Sequence, residues 1–237
     1  MAGLIKECII LAGGLGTRLR SAVPDLPKCM APVAGKPFLS YVIDYFKQQG
    51  IERFIFSLGY KHEAIESFLQ SRYPGLSIAV AIEEEPLGTG GAIKLACAKA
   101  LEQNVLILNG DTIFTIQLDQ LATFHTSHKA DCTLSLKPLQ HFDRYGVVEL
   151  AADQSINSFL EKQYYASGLI NGGVYTLQVS SFLQESFPDK FSFEKDYLEK
   201  LYRQRNMYGV VQDQYFIDIG IPEDYEKANR EFIHPPF

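Results

Sequence analysis

Cysteine is sparse and scattered in this chain: Cys8, Cys29, Cys97 and Cys132 lie far apart, with no CxxC pair and no metal-ligand spacing. That argues against a disulfide framework and fits reduced, structural thiols in a cytosolic protein. Basic charge is short as well. With 22 Lys and Arg against 28 Asp and Glu, the formal net charge is −6, which argues against general nucleic-acid binding, a function that uses a basic face. No apolar run is long enough to span a bilayer, and the opening MAGLIKECIILAGG lacks a signal-peptide cleavage pattern. The expected location is the cytoplasm, with no membrane partner. A Pro/Ser-rich linker, a low-complexity tract and an internal repeat are also missing, so the chain reads as one domain, 1–237.

What is present begins with an apolar fraction of 46%, ample for a sizeable core. Residues 8–11 form a short continuous apolar run ended by Ala12-Gly13-Gly14, which predicts a buried strand. Apolar spacing predicts helices over 37–49, 63–70 and 92–101, and strands over 54–58, 77–82 and 105–108. This alternation implies crossover units and a largely parallel sheet. Beyond it, 133–136, 146–150, 156–160 and 169–177 read as extended, 191–202 as helical, 208–211 and 215–217 as extended, and 222–232 as a closing helix. The later strands are expected to build a second lobe, with the division near residue 130.

The densest chemical signal is Leu11 to Arg20, LAGGLGTRLR, followed by Pro27-Lys28. Gly13, Gly14 and Gly16 let backbone N–H groups approach an anion without side-chain obstruction. Arg18 offers a planar fork of donors for phosphate oxygens and Lys28 a compact point charge. A P-loop needs Gly-Lys-Ser/Thr where Thr17-Arg18 stands, and a dinucleotide fingerprint needs its last Gly where Leu19 sits. A plain turn after a strand would explain the glycines but neither cation.

This loop resembles the signature of the sugar-1-phosphate nucleotidyltransferases, and further segments follow in the family's order. Glu85-Pro86-Leu87-Gly88-Thr89-Gly90-Gly91-Ala92 is similar to the base- and ribose-binding turn, and Asn109-Gly110-Asp111 to the segment carrying a metal-binding Asp. Tyr145-Gly146-Val147, Glu161-Lys162 and Asn171-Gly172-Gly173-Val174-Tyr175 are similar to sugar-phosphate-binding segments. Ile217-Asp218-Ile219-Gly220-Ile221-Pro222-Glu223-Asp224-Tyr225 is similar to the segment with the second metal-binding Asp.

The resemblance implies an α/β, Rossmann-like (GT-A-like) nucleotidyltransferase fold: a mixed central sheet, helices on both faces and a small sugar-binding lobe. Residues 1–130 would bind nucleotide and 131–237 sugar phosphate. It implies nucleotide contacts from Leu11, Ala12, Gly13, Gly14, Gly16, Thr17, Arg18, Glu83, Pro86, Gly88, Thr89 and Gly110. Sugar-phosphate contacts would come from Asn109, Tyr145, Gly146, Glu161, Lys162, Asn171 and Gly172. Catalysis would fall to Arg18, Lys28, Asp111 and Lys162, with Mg2+ held by Asp111 and Asp218. Two carboxylates suffice for Mg2+, which takes hard oxygen ligands and keeps several waters. The substrates implied are a nucleoside triphosphate and a sugar 1-phosphate, and a homo-oligomer is possible.

Each carried residue also has a structural reading. Asp111 could cap a turn, Asp218 lie on a surface strand, Glu161-Lys162 form an exposed charge pair, and Asn171 bond its own Gly-rich turn. His125 and His128, three apart, read as a polar helix end rather than metal ligands. Residues 191–198 read as core or subunit contact.

Within the family, the short length, FSFEKDYLEK and IDIGIPEDY look most like heptose 1-phosphate guanylyltransferases, which use GTP to make a GDP-heptose for bacterial surface polysaccharides. Guanine presents N1–H and N2–H₂ side by side, a pair one carboxylate can accept, and Glu83 stands where relatives read the base edge. Other readings are a uridylyl- or thymidylyltransferase and a non-catalytic nucleotide-sugar-binding regulator. A glycosyltransferase of similar fold would carry Asp-x-Asp, which Asn109-Gly110-Asp111 is not. Because the chain ends soon after 222–232, a C-terminal β-helix like that of larger relatives is not expected.

Overall fold

A computed structural model describes residues 5–14 and 26–237. The first half runs β1 (Glu7–Leu11), a 3-10 turn (Lys28–Met30), β2 (Pro32–Val33), β3 (Lys36–Pro37), α1 (Phe38–Gln48), β4 (Arg53–Leu58), α2 (His62–Arg72), β5 (Ser77–Ile82), α3 (Gly88–Cys97), β6 (Asn104–Asn109), β7 (Thr112–Phe114) and α4 (Leu118–Ser127). The second half runs β8 (Cys132–Phe142), β9 (Val147–Leu150), β10 (Ile156–Leu160), β11 (Tyr165–Gln178), α5 (Val179–Leu183), a π-helical turn (Phe193–Leu198), α6 (Glu199–Leu201), β12 (Met207–Val211), β13 (Phe216–Asp218) and α7 (Pro222–Glu231).

The main sheet is ordered β5-β4-β1-β6-β11, with the first four strands parallel and β11 antiparallel to β6. Pairing of β8 with β11, and of β12 with β8, extends it. Pleating sends alternate residues of each inner strand to opposite faces. Cys8 and Ile10 join a buried cluster with Phe38, Val42 and Phe46 of α1, Ile65 of α2 and Leu121 of α4. Ile9, Ile55 and Ile107 join the other, with Ile93 and Ala96 of α3 and Phe182 of α5. Helices therefore cover both faces, which is why β1 and β6 read as unbroken apolar runs rather than alternating ones.

β11 is the seam. Its first half pairs with β9 at Ile170↔Val147, and its second half, from Val174, pairs with β6. Between the halves the register against β8 shifts: Asn171 faces Leu136 and Tyr175 faces Leu134. The bulge holds Gly173 at φ +72°, where a β-carbon would lie 2.6 Å from Asn109 Nδ2. Gly is the residue that suits both the left-handed backbone and the close approach.

Three local expectations change. The third helix starts at Gly88 and ends at Cys97, rather than spanning 92–101. Glycines 90 and 91 lie inside its first turn, where an added β-carbon would sit 2.2 Å from the Phe191 ring or from the Asp189 carbonyl, so no side chain fits. Residues 191–202 fold as a π-helical turn and one short α turn, with Phe193 and Tyr197 stacked in the core at 5.1 Å. His125 is no polar helix end: it is buried, bonded through Nδ1 to Thr133 Oγ1 (2.9 Å) and through Nε2 to Asn104 Oδ1 (3.2 Å). Burial pushes its pKa down to about 4. His128 does end α4, stacked on Phe124 at 3.9 Å.

Candidate active site

In open α/β sheets, ligands bind beyond the carboxyl ends of the strands, where the strand order reverses. Here that point lies beside β1, which has β4 on one side and β6 on the other. A cavity of about 1110 Å³ opens there, lined among others by Gly13, Lys28, Glu83, Thr89 and Asp111.

The strand ends are drawn together by backbone bonds. Ala12 N–H donates to Ser57 O (2.9 Å) and Gly110 N–H to Leu11 O (2.9 Å). Leu11, Ala12, Gly13 and Gly14 form the cavity wall, and Gly110 sits just behind Leu11. Gly13 is needed for close packing: a β-carbon would lie 2.7 Å from Glu83 Oε1. Gly16, Thr17 and Arg18 lie outside the described residues.

Two carboxylates converge through a strand pair the sequence did not announce. β7 and β13 run antiparallel with Asp218 opposite Thr112, and Ile219 N–H donates to Asp111 O (3.1 Å). The Lys28 ammonium is hydrogen-bonded to Asp111 Oδ2 and stands 3.5 Å from Asp218 Oδ1. Burial first, then the Asp111 charge, raises the Asp218 carboxyl, while Lys28 works against that rise. Gly220 N–H donates to Asp218 Oδ1 at 2.7 Å and fixes its orientation.

This center fits Mg2+. Its donors are hard carboxylate oxygens, and it already accommodates one positive charge between them. Among the described residues no group of three or more His, Cys, Asp and Glu is placed to hold a metal. The remaining ligands would be phosphate oxygens and water, as Mg2+ prefers.

On the far wall, Glu83 closes its own turn: Oε2 accepts from Leu87 N–H (3.0 Å) and Oε1 from the Ser57 hydroxyl (3.3 Å). Pro86, Gly88 and Thr89 line the cavity beside it, and Gly88 has φ +72° with Phe191 O pressed against it. The Thr89 hydroxyl donates to Glu194 Oε2 (2.6 Å) and accepts from Phe193 N–H (2.9 Å). Glu194 itself lines the cavity. Sequence reasoning missed it, because its aromatic neighbours marked the whole stretch as core.

The sugar-side residues are spread more widely. Asn109 lines the cavity at the end of β6. The Tyr145 hydroxyl accepts from Arg144 Nη2 (2.9 Å); burial, then the nearby Asp218 charge, raises its pKa. Gly146 packs under Leu160 O, where a β-carbon would be 2.5 Å away. Glu161 and Lys162 are exposed after β10. Asn171 holds the bulge, its Nδ2 donating to Tyr175 OH (2.8 Å) and its Oδ1 accepting from Gly173 N–H (3.0 Å). Gly172 packs against the Phe114 ring. Tyr145, Gly146, Glu161, Lys162, Asn171 and Gly172 do not line the cavity that holds Lys28 and Asp111.

A doubly covered mixed sheet, a Gly-rich strand end at the switch point and paired carboxylates around a lysine define a nucleotide-transferring class, and residues 7–234 match the nucleotidyl transferase family. The chain belongs to that family. Within it, the chain is 54% identical over 96% of its length to a D-glycero-alpha-D-manno-heptose 1-phosphate guanylyltransferase of Aneurinibacillus thermoaerophilus, covering 99% of that protein. It is 43% identical over 92% of its length to the enzyme of the same name from Campylobacter jejuni, covering 96% of it. HddC from Yersinia pseudotuberculosis, solved in complex with GMP-PN, superposes with a TM-score of 0.86 at 39% identity, covering 96% of this chain and 100% of that one.

Proposed function

We propose that this protein transfers GMP from GTP to D-glycero-α-D-manno-heptose 1-phosphate, forming GDP-heptose and pyrophosphate. The observation that carries the reading is the Lys28–Asp111–Asp218 center at the switch-point cavity, in a chain so similar to heptose 1-phosphate guanylyltransferases along nearly its whole length. An oxygen of the sugar phosphate attacks the α-phosphorus of GTP. The bond from that phosphorus to the β-phosphate oxygen breaks, and pyrophosphate leaves with the electron pair. The nucleophile is already ionised at neutral pH, since the second phosphate pKa is about 6. No general base is required, in keeping with a site that offers cations and carboxylates.

Both reactants are anions, so the protein's work is alignment and charge neutralisation. The N–H groups of the Gly13-Gly14 segment, Arg18 and Lys28 cradle the triphosphate. Asp111 and Asp218 would hold Mg2+, which when bound supplies positive charge to the phosphates. Glu83 accepts guanine N1–H and N2–H₂ through the lone pairs its turn leaves open. Lys162 takes the incoming sugar phosphate, with Tyr145, Gly146, Glu161, Asn171 and Gly172 around it. Residues 1–130 thus serve the nucleotide and 131–237 the sugar phosphate, in the cytoplasm where both are supplied.

The test is product mass from each common nucleoside triphosphate paired with heptose, mannose or glucose 1-phosphate. GDP-heptose as the dominant product supports the proposal; a UDP- or dTDP-sugar as the dominant product overturns the guanylyl assignment.

A further inference from the structure

The structure assigns Glu194 as a sugar-recognition residue: its carboxylate accepts hydrogen bonds from hydroxyls of the sugar 1-phosphate. This rests on the proposed reaction and adds the group that reads the acceptor.

Glu194 enters the cavity from the π-helical turn, whose geometry is fixed locally. The Ser192 hydroxyl caps the turn by accepting from Lys195 N–H (3.1 Å), and Asp196 Oδ2 reaches back to accept from Ser192 N–H (2.8 Å). This is a reciprocal arrangement akin to a capping box, with the acid one position further along. Two hydroxyls then clamp the Glu194 carboxylate, both on Oε2: Thr89 at 2.6 Å and Ser192 at 3.1 Å. Among the described residues no donor meets Oε1. In a cavity-lining residue, that oxygen keeps its acceptor capacity for a ligand's donors.

The chemistry of those donors follows from charge. A carboxylate repels phosphate, so it belongs away from the cationic end of the cavity; neutral hydroxyls suit it. Two sets of hydroxyls are available, those of the ribose and those of the sugar 1-phosphate. The surroundings favour the latter. Glu194 follows Phe193, whose ring meets that of Tyr175 edge-on at 5.0 Å, and Tyr175 is the partner of Asn171 in the β11 bulge; the Glu194 charge adds to burial in raising the Tyr175 hydroxyl. Its charge also reaches Glu199, whose carboxyl is raised by burial and then by Glu161. Glu194 therefore stands between the Thr89 turn and the segments assigned to the sugar. Thr89, whose hydroxyl is spent on Glu194 and Phe193 N–H, becomes a positioning residue.

The experiment is steady-state kinetics of the full chain with GTP and heptose 1-phosphate, each varied at saturating levels of the other. Glu194→Gln should lower kcat/KM for the sugar phosphate roughly ten- to a hundredfold, the effect of losing hydrogen bonds to a charged group. KM for GTP should stay within about twofold. Thr89→Val should show the same split more weakly, and Thr89→Ser, which restores the hydroxyl, should recover it. A loss confined to GTP would assign Glu194 to the ribose and overturn the inference. Unchanged kinetics, or equal losses for both substrates with a lowered Tm, would make it structural and overturn it too. If the wild type uses a different sugar 1-phosphate, the proposed substrate fails, while Glu194 is judged by the same split on that sugar.

Discussion

At the scale of single residues, the account turns on carboxylates. Asp111→Asn and Asp218→Asn each remove a charge that pairs with Lys28 and that the proposed Mg2+ site would require. Each should cut Mg2+-dependent turnover by roughly a hundredfold or more, measured across a Mg2+ titration; wild-type turnover at low Mg2+ in either variant would contradict the paired-carboxylate site. Glu83 closes its turn and is proposed to read guanine, and Glu83→Gln separates the two roles. The amide oxygen can still accept from Leu87 N–H, so the turn survives, but its NH₂ meets the guanine donors. The expected loss in kcat/KM for GTP is about 1–3 kcal/mol, tenfold to a hundredfold, with a smaller loss for UTP; equal losses would leave Glu83 only its turn-closing bonds. Lys28, Asp111 and Asp218 were legible from motif resemblance. Glu194 was not, because its cavity-facing position depends on a π turn and on Thr89, a residue 105 positions away.

At the scale of elements, the sequence was clear where apolar periodicity is long and uninterrupted. The β1, β4 and β6 strands and the α1 and α2 helices fall where it put them. It was misleading where packing overrides propensity. Apolar spacing started the helix at Ala92, yet Gly90 and Gly91 lie in α3, and they are glycines there because the 189–191 backbone and the Phe191 ring occupy the space of any side chain. Gly91→Ala should therefore destabilise the fold by about 1–3 kcal/mol despite the higher helix propensity of Ala. Thermal melting checks this, and an unchanged or raised Tm would contradict it. His125 ties α4 to β8 and β6. Its folded pKa of about 4 lies below the ordinary 6.5. Above 6.5 it is neutral in both states; below, the unfolded chain binds a proton that the fold refuses until about pH 4. Stability is thus lost as pH falls through that window, at about 1.4 kcal/mol per pH unit for one proton. Urea unfolding of His125→Asn over the same window should show a slope shallower by about one proton's worth; an identical slope would remove His125 from the pH response.

At the scale of the whole molecule, β11 joins the parallel strands of the first half to the β8–β12 and β9–β10 pairs, and β7–β13 brings residues about a hundred positions apart to one center. Such long-range pairing leaves little trace in local sequence. Alternation gave the parallel sheet and motif order gave the family, but neither gave the bulge at Gly173 or the wall formed by Glu194. The central claim is nucleotidyl transfer to the phosphate of a heptose 1-phosphate. It is tested most directly with heptose 1-phosphate carrying oxygen-18 in its three non-bridging phosphate oxygens, reacted with unlabelled GTP. The account predicts GDP-heptose retaining all three labelled atoms and pyrophosphate carrying none. Label in pyrophosphate, or no GDP-heptose at all, would contradict it.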